Sequence, residues 1–336
     1  VRAHRMGVLM LAAATLLTTA CSSGGESGNP GTTPQAADVT ASASPTKPPE
    51  HPFTGMPVAA RKPVLAVKIE NTHSGKPQIG VKSADIVYVE QVEGGLTRLM
   101  AIFSSRLPKE VGPVRSARIS DLHILPMFGK PALAYSGVQT KMIPFVQQAS
   151  LVDVSDSSAP GAYFRYPGRV APYNLVGRPA QLLKGAKASR AKDIGFTFSD
   201  EAPEGGKPTR RYTVKYPAAT FTFQWNAGAK KWAVVQDGEK DMAAEGGQIA
   251  PATVVVQYTK TERSQFHDFT GSYTPLVHST GKGTGVVLRD GQAYKVRWQR
   301  PTEEDGTTFT LADGTPMPFA RGQVWVVLAS RVPVAP

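Results

Sequence analysis

A chain of 336 residues with 38 Lys and Arg against 26 Asp and Glu carries a net charge of +12, and it holds a single cysteine. One thiol excludes an internal disulfide, so the folded part must be held by packing alone. The charge favours anionic surfaces such as phospholipid headgroups or wall polymers. No RNP, zinc-finger or helix-turn-helix signature accompanies it, and the expectation is no nucleic-acid partner.

The chain opens with a basic stretch bearing Arg2, His4 and Arg5, followed by the apolar run GVLMLAAATLLTT. That run is shorter than the roughly 20 residues a membrane-spanning helix needs, and small residues follow it, so residues 1–20 read as a signal peptide. LLTTAC then places Cys21 directly after Ala20, as in a bacterial lipobox. The expectation is a lipidated Cys21 at the outer face of the cytoplasmic membrane; an ordinary secretory site would cut the same bond. Loss of a leader carrying Arg2 and Arg5 leaves a charge of +10. Residues 21–50 are rich in Ser, Thr, Pro, Gly and Ala and bury too little to order themselves, so they read as a flexible tether.

From residue 51 to about 200 strands and helices mix. PVLAVKIEN is a near-continuous apolar run and predicts a buried strand. DIVYVEQV and LTRLMAIFS flank Gly94-Gly95, which predicts a hairpin. A helix is expected over Ala117 to Phe128, then a strand at ALAYS, a short helix at KMIPFVQQAS, a strand at LVDV and a helix at PAQLLKGAKASR. Between the last two lies an aperiodic loop with Tyr163, Phe164, Arg165, Tyr166, Arg169, Tyr173 and Asn174, a content suited to a sugar, a headgroup or a peptide.

Within this region VEGGLTRLMAIFSSRLPKEVGPVRSAR, Val92 to Arg118, is the candidate site. Strand alternation puts Arg98 on a face otherwise formed by Leu96, Met100, Ile102 and Ser104, where a guanidinium needs a carboxylate or an anionic ligand. Gly112-Pro113 bends the chain toward Arg115, Ser116 is placed to cap the helix, and Arg118 falls in its first turn. Cations oppose the macrodipole at a helix N-terminus, so an anion is expected there, from Glu90, Glu93, Asp121 or a ligand. The competing reading pairs Arg98, Arg115 and Arg118 internally with Glu90, Glu93 and Asp85.

From residue 207 to 336 the period changes to two. RYTVKY, TFTFQW, KWAVVQ, TVVVQY, TGVVLR, AYKVRW and QVWVVL are predicted strands, with hairpin turns at Asp237-Gly238, Asp290-Gly291 and Asp313-Gly314. Trp225, Trp232, Trp298 and Trp325 fall on these strands as core residues. The GKGTG run lacks the Lys-Ser/Thr and the helix of a phosphate loop. His267, Asp268 and His278 are too scattered for a metal site. No cofactor and no metal are expected. The fold class is therefore α+β, an N-terminal mixed α/β sandwich followed by a small all-β domain.

VLAVKIENTHSGKPQIGVKSADIVYVEQVEGGLTRLMAIFSSRLPKEVGPVRSAR, APYNLV, GTGVVLRDGQAYKVRW and GQVWVVL together resemble the YerB-like lipoproteins of Gram-positive bacteria. The resemblance implies a two-domain layout and a lipid anchor, and no chemistry. In the family pattern the loop reads APHNL; here Tyr173 replaces the histidine, which leaves no imidazole for an acid or metal role. A fainter similarity, offered as analogy, links Asp85, Arg98, Arg115 and Arg118 to the order of groups in envelope phosphotransferases of the LytR-CpsA-Psr type.

Two functions fit this sequence. One is a lipoprotein that holds an anionic wall polymer, a lipid headgroup or an envelope protein through Arg98, Arg115 and Arg118, with Glu90, Glu93, Asp85, Tyr173 and Asn174 around them. The other is an envelope enzyme acting on a phosphorylated glycan or lipid-linked precursor, in which the arginines stabilise phosphoryl charge and an acid, with His123 assisting, acts as base or metal ligand. A binder pairs all its carboxylates with arginine, whereas an enzyme leaves one free and open to solvent.

Overall fold

The computed structural model describes residues 49–268 and 270–330. The leader, Cys21 and the expected tether up to residue 48 lie outside the described residues; Glu50, at the tether's expected end, is placed and pairs with Arg321 at 2.9 Å. Among the described residues no helix is long and apolar enough to cross a membrane.

Apolar runs that alternate poorly must be covered on both faces, and they form the middle of the sheet. Strands β1 (Leu65–Ile69), β2 (Ile86–Gln91) and β3 (Thr97–Phe103) are buried throughout. Beside them lie β4 (Ala132–Ala134) and β5 (Val152–Asp153), both parallel to β1. A small separate hairpin, β6 (Tyr163–Arg165) with β7 (Leu175–Gly177), forms inside the aromatic loop. The predicted Gly94-Gly95 hairpin is present: Glu90 faces Arg98 and Gln91 faces Thr97 across β2 and β3.

The second region supplies β8 (Lys207–Pro208), β9 (Arg211–Tyr216), β10 (Ala219–Asn226), β11 (Lys231–Gln236) and β12 (Glu239–Lys240). It continues with β13 (Thr253–Tyr258), β14 (Thr261–His267), β15 (Tyr273–Val277), β16 (Gly281–Arg289), β17 (Gln292–Arg300), β18 (Thr308–Thr310) and β19 (Val324–Ala329). Strands of both regions share one eleven-stranded sheet in the order β18-β17-β16-β13-β19-β2-β3-β1-β4-β5, with β8 on β17. The join is the parallel pairing of β19 with β2, Val324 opposite Ile86. Strands β9 to β12 form a second sheet.

Two cores follow from the alternation along β1, β2 and β3. Ala66, Tyr88, Met100 and Ile102 face one way and pack with helix α1 (Ile119–Ile124). Val67, Val89, Leu99 and Ala101 face the other way, in one core with Phe221, Phe223 and Trp232 of the second sheet and with Trp325. The four tryptophans lie on strands, as expected.

Some local expectations change. The helix expected over Ala117 to Phe128 is α1 followed by a 3-10 turn, Leu125–Phe128, because Pro126 has no N–H to continue the ladder. Ser116 does not cap it: its hydroxyl donates to Ser136 O at 2.9 Å, and Asp121 Oδ2 instead accepts the N–H of Arg118 at 2.6 Å. The other short helix, α2 (Ile143–Gln148), tolerates Pro144 in its first turn. Helix α3 is only Pro179–Leu182, stopped before Gly185, whose φ is 78°. The β14–β15 hairpin escaped notice because β14 is polar and β15 holds Pro275.

The Gly94-Gly95 tip is asymmetric. Gly95 (φ 72°) accepts the N–H of Ala218 at 2.9 Å, and a Cβ there would sit 2.5 Å from Pro217 Cβ. At Gly94 (φ 65°) a Cβ meets nothing within 4 Å. In urea unfolding, Gly95→Ala is expected to cost about 2–3 kcal/mol and Gly94→Ala about 1 kcal/mol, since only the former adds a clash to the left-handed strain.

Candidate functional site

Alternation places Lys68 and Glu70 on the same face of β1 as Tyr88 and Glu90 on β2 and Arg98 and Met100 on β3. Near the hairpin end this face turns from apolar to charged. Helix α1 brings Asp121 onto it, and the chain entering α1 brings Arg115 and Arg118.

Glu70, fully buried, is the hub. Its Oε2 receives Arg98 Nη2 at 3.1 Å and Arg115 Nε at 2.8 Å, while Oε1 accepts the N–H groups of Asn71 at 3.1 Å and Thr72 at 2.9 Å. Gly75 makes room for it: a Cβ at that position would lie 2.3 Å from Glu70 Cγ. Arg118 forks onto Glu93, with Nε to Oε1 at 2.8 Å and Nη2 to Oε2 at 2.7 Å, and Thr274 on β15 donates to the same carboxylate. The three arginine side chains are 8%, 22% and 18% exposed for Arg98, Arg115 and Arg118. They sit at the edge of the interior with one side open.

Burial lowers the Arg98 guanidinium to about 10; Glu70 opposes the shift, and Arg115 and Arg118 reinforce it. Burial alone would raise the Glu93 carboxyl, yet Arg118 holds it below the ordinary value.

Beneath the arginines lies a second group. Lys68 Nζ sits 2.7 Å from Asp121 Oδ1 and 3.1 Å from Glu90 Oε1, all three buried. Burial and the neighbouring Asp121 push the Glu90 carboxyl up to about 8, against the pull of Lys68. Glu90 therefore keeps its proton at neutral pH and can donate it to Asp121. Lys68, Arg98, Arg115 and Arg118 thus stand among the carboxyl groups of Glu70, Glu93, Asp121 and a Glu90 whose charge the site disfavours.

Tyr173 joins the site, its ring 5.5 Å from the Arg115 guanidinium carbon. Asn174 does not. Its side chain braces the loop, donating to Arg169 O and accepting from Arg165 Nη1, each at 2.9 Å. Asp85 also stands apart, since it precedes β2 at the end away from the Gly-Gly turn, about 17 Å along the strand from Glu90. It accepts the N–H groups of Ser104 at 2.7 Å and Ser105 at 2.8 Å and the Ser105 hydroxyl. His123 pairs with Glu303 and takes no part in the cluster. The sequence reading omitted Lys68 and Glu70, although their two-residue spacing inside an apolar run was the available signal.

This mixed sheet, with its charged face beside the Gly-Gly hairpin, defines the class: a strand-rich α+β protein whose site carries basic side chains. The chain belongs to the protein family of unknown function DUF3048, matching its N-terminal domain over residues 53–192 and its C-terminal domain over residues 212–326. It is 25% identical over 291 residues to the YerB protein of Bacillus subtilis (strain 168), whose name classes it as a candidate lipoprotein; the match covers 82% of this chain and 84% of that one. The crystal structure of YerB from Bacillus subtilis shares the fold, with a TM-score of 0.70 at 20% identity, over 83% of this chain and 96% of that one.

Proposed function

We propose that the protein is a lipid-anchored extracytoplasmic binding protein that takes an anionic group of the cell envelope at Arg98, Arg115 and Arg118. One observation carries the reading: the guanidiniums of Arg98 and Arg115 share a single carboxylate oxygen of Glu70, and the side chains of Arg115 and Arg118 are partly open to solvent. A partly buried cation with only a shared counter-charge is costly, and an anion arriving at the open side relieves that cost. Arginine forks suit phosphate or carboxylate. Binding is favoured over catalysis because Glu70, Glu90, Glu93 and Asp121 are each engaged by a cation of the cluster.

The anchor is supported by the lipobox at Cys21 and by the name of the Bacillus relative. Calorimetric titration with lipid-linked wall precursors and with anionic wall polymer tests the site. Arg115→Ala is expected to bind at least about tenfold more weakly, the loss of one charge-assisted contact. Equal binding by wild type and variant makes the cluster purely structural.

A further inference from the structure

The hairpin and its flanks, residues 163–178, carry Arg165, Arg169 and Arg178 and no Asp or Glu. Arg165 is exposed, and Arg169 and Arg178 are half-buried. At the tip of the β6–β7 hairpin, Pro167, Val170, Ala171 and Pro172 also stand in solvent, Val170 at 75% the most exposed large hydrophobic side chain among the described residues.

This tip is held out by bonds rather than left loose. Tyr166 N–H donates to Asn174 O at 2.7 Å, Tyr173 N–H to Val170 O at 2.9 Å, and Arg169 Nη2 to Pro77 O at 2.7 Å. Below the tip, Arg178 lies 4.2 Å from the Phe164 ring centroid and Arg169 lies 5.5 Å from that of Tyr166. The tip is therefore mostly apolar, with Arg169 tied back to Pro77, and aromatic rings and arginines lie beneath it.

We propose that this hairpin forms a docking surface for an anionic lipid bilayer. The apolar tip enters the headgroup layer, Tyr166 and Phe164 lie at its level, and Arg165, Arg169 and Arg178 meet lipid phosphate. A soluble anionic polymer would satisfy the charges but offers no hydrocarbon to receive Val170, and on that ground a bilayer is the partner. A lipid on Cys21 would leave the residues before Pro49 a reach of up to about 90 Å, enough to bring the hairpin to the membrane. Because Tyr173 of the same hairpin stacks on Arg115, docking would also turn the arginine cluster toward the headgroups.

The described residues begin at Pro49, so the chain started at Ser22, free of leader and lipid, retains all of them and is the protein to test. Co-sedimentation is expected with phosphatidylglycerol vesicles, weakening as salt is added, and not with phosphatidylcholine vesicles. Val170→Asp and Arg165→Glu, both at exposed positions, should each bind phosphatidylglycerol vesicles about tenfold more weakly with unchanged thermal melts. Val170→Asp should keep its binding of soluble wall polymer, which separates this surface from the anion site. Val170→Asp binding like wild type, equal binding to neutral vesicles, or binding to wall polymer that exceeds binding to vesicles would each overturn the proposal.

Discussion

Glu70→Gln is expected to destabilise the protein by about 3–5 kcal/mol, the cost of leaving buried charge without its partner. Against a total stability of about 5–15 kcal/mol this is a large fraction, and a thermal melt should fall by on the order of 10 °C. The reason is specific to the hub. Glutamine preserves shape and can still accept the N–H groups of Asn71 and Thr72. What disappears is the only carboxylate that both Arg98 and Arg115 contact. Two further measurements separate this cause from ordinary packing damage. Removing one guanidinium as well, in Glu70→Gln/Arg98→Met, should recover part of the loss, because fewer unpaired cations remain. Added sulfate or phosphate should raise the melting temperature of Glu70→Gln more than that of wild type, since the anion then stands where the carboxylate charge was. A variant that melts like wild type would mean that Glu70 does not neutralise the arginines.

The same residues show how far a sequence can be read. β2, β3 and the turn between them were legible because Gly94-Gly95 sits between two strand-forming runs, and the face carrying Arg98 follows from alternation alone. Asp85 was grouped with Glu90 through closeness in sequence, but an extended strand separates positions 85 and 90 by its full rise, and they serve opposite ends. Lys68 and Glu70 went unread because they lie inside a run that looks uniformly apolar, where long-range pairing with β3 and α1 supplies their partners. Ser116 is a good cap by type, yet Asp121 does that work because its other oxygen is held by Lys68. The sharing of one sheet by both regions depends on β19 pairing with β2, a contact between residues far apart in the chain that no local pattern encodes.

Glu90→Gln is expected to act in the opposite direction, and increasingly so as pH rises above the ordinary glutamate value. In the unfolded chain a glutamate ionises near its ordinary value of 4.5, whereas in the fold burial and Asp121 push Glu90 up to about 8. Between those two values the native state holds a proton that the unfolded state has released. This group's contribution therefore makes stability fall as pH rises, by up to about 1.4 kcal/mol per pH unit, and it levels off above the folded value. The accumulated cost is on the order of 4 kcal/mol by pH 8 to 9. Glutamine mimics the protonated acid: its amide N–H can serve Asp121 and its oxygen can accept from Lys68. Urea unfolding across pH 5 to 9 should find wild type and Glu90→Gln similar at the acid end and the variant more stable by a few kcal/mol at the alkaline end. The difference between the two proteins is the quantity to follow, because the shifted Glu93 contributes to both curves, while Lys68, raised further above its ordinary value in part by Glu90, stays charged across this range. A variant destabilised at every pH would mean that Glu90 is ionised in the native protein. Its charge would then help to offset Lys68 and the arginines, and the case for an external anion would rest on the sharing of Glu70 alone.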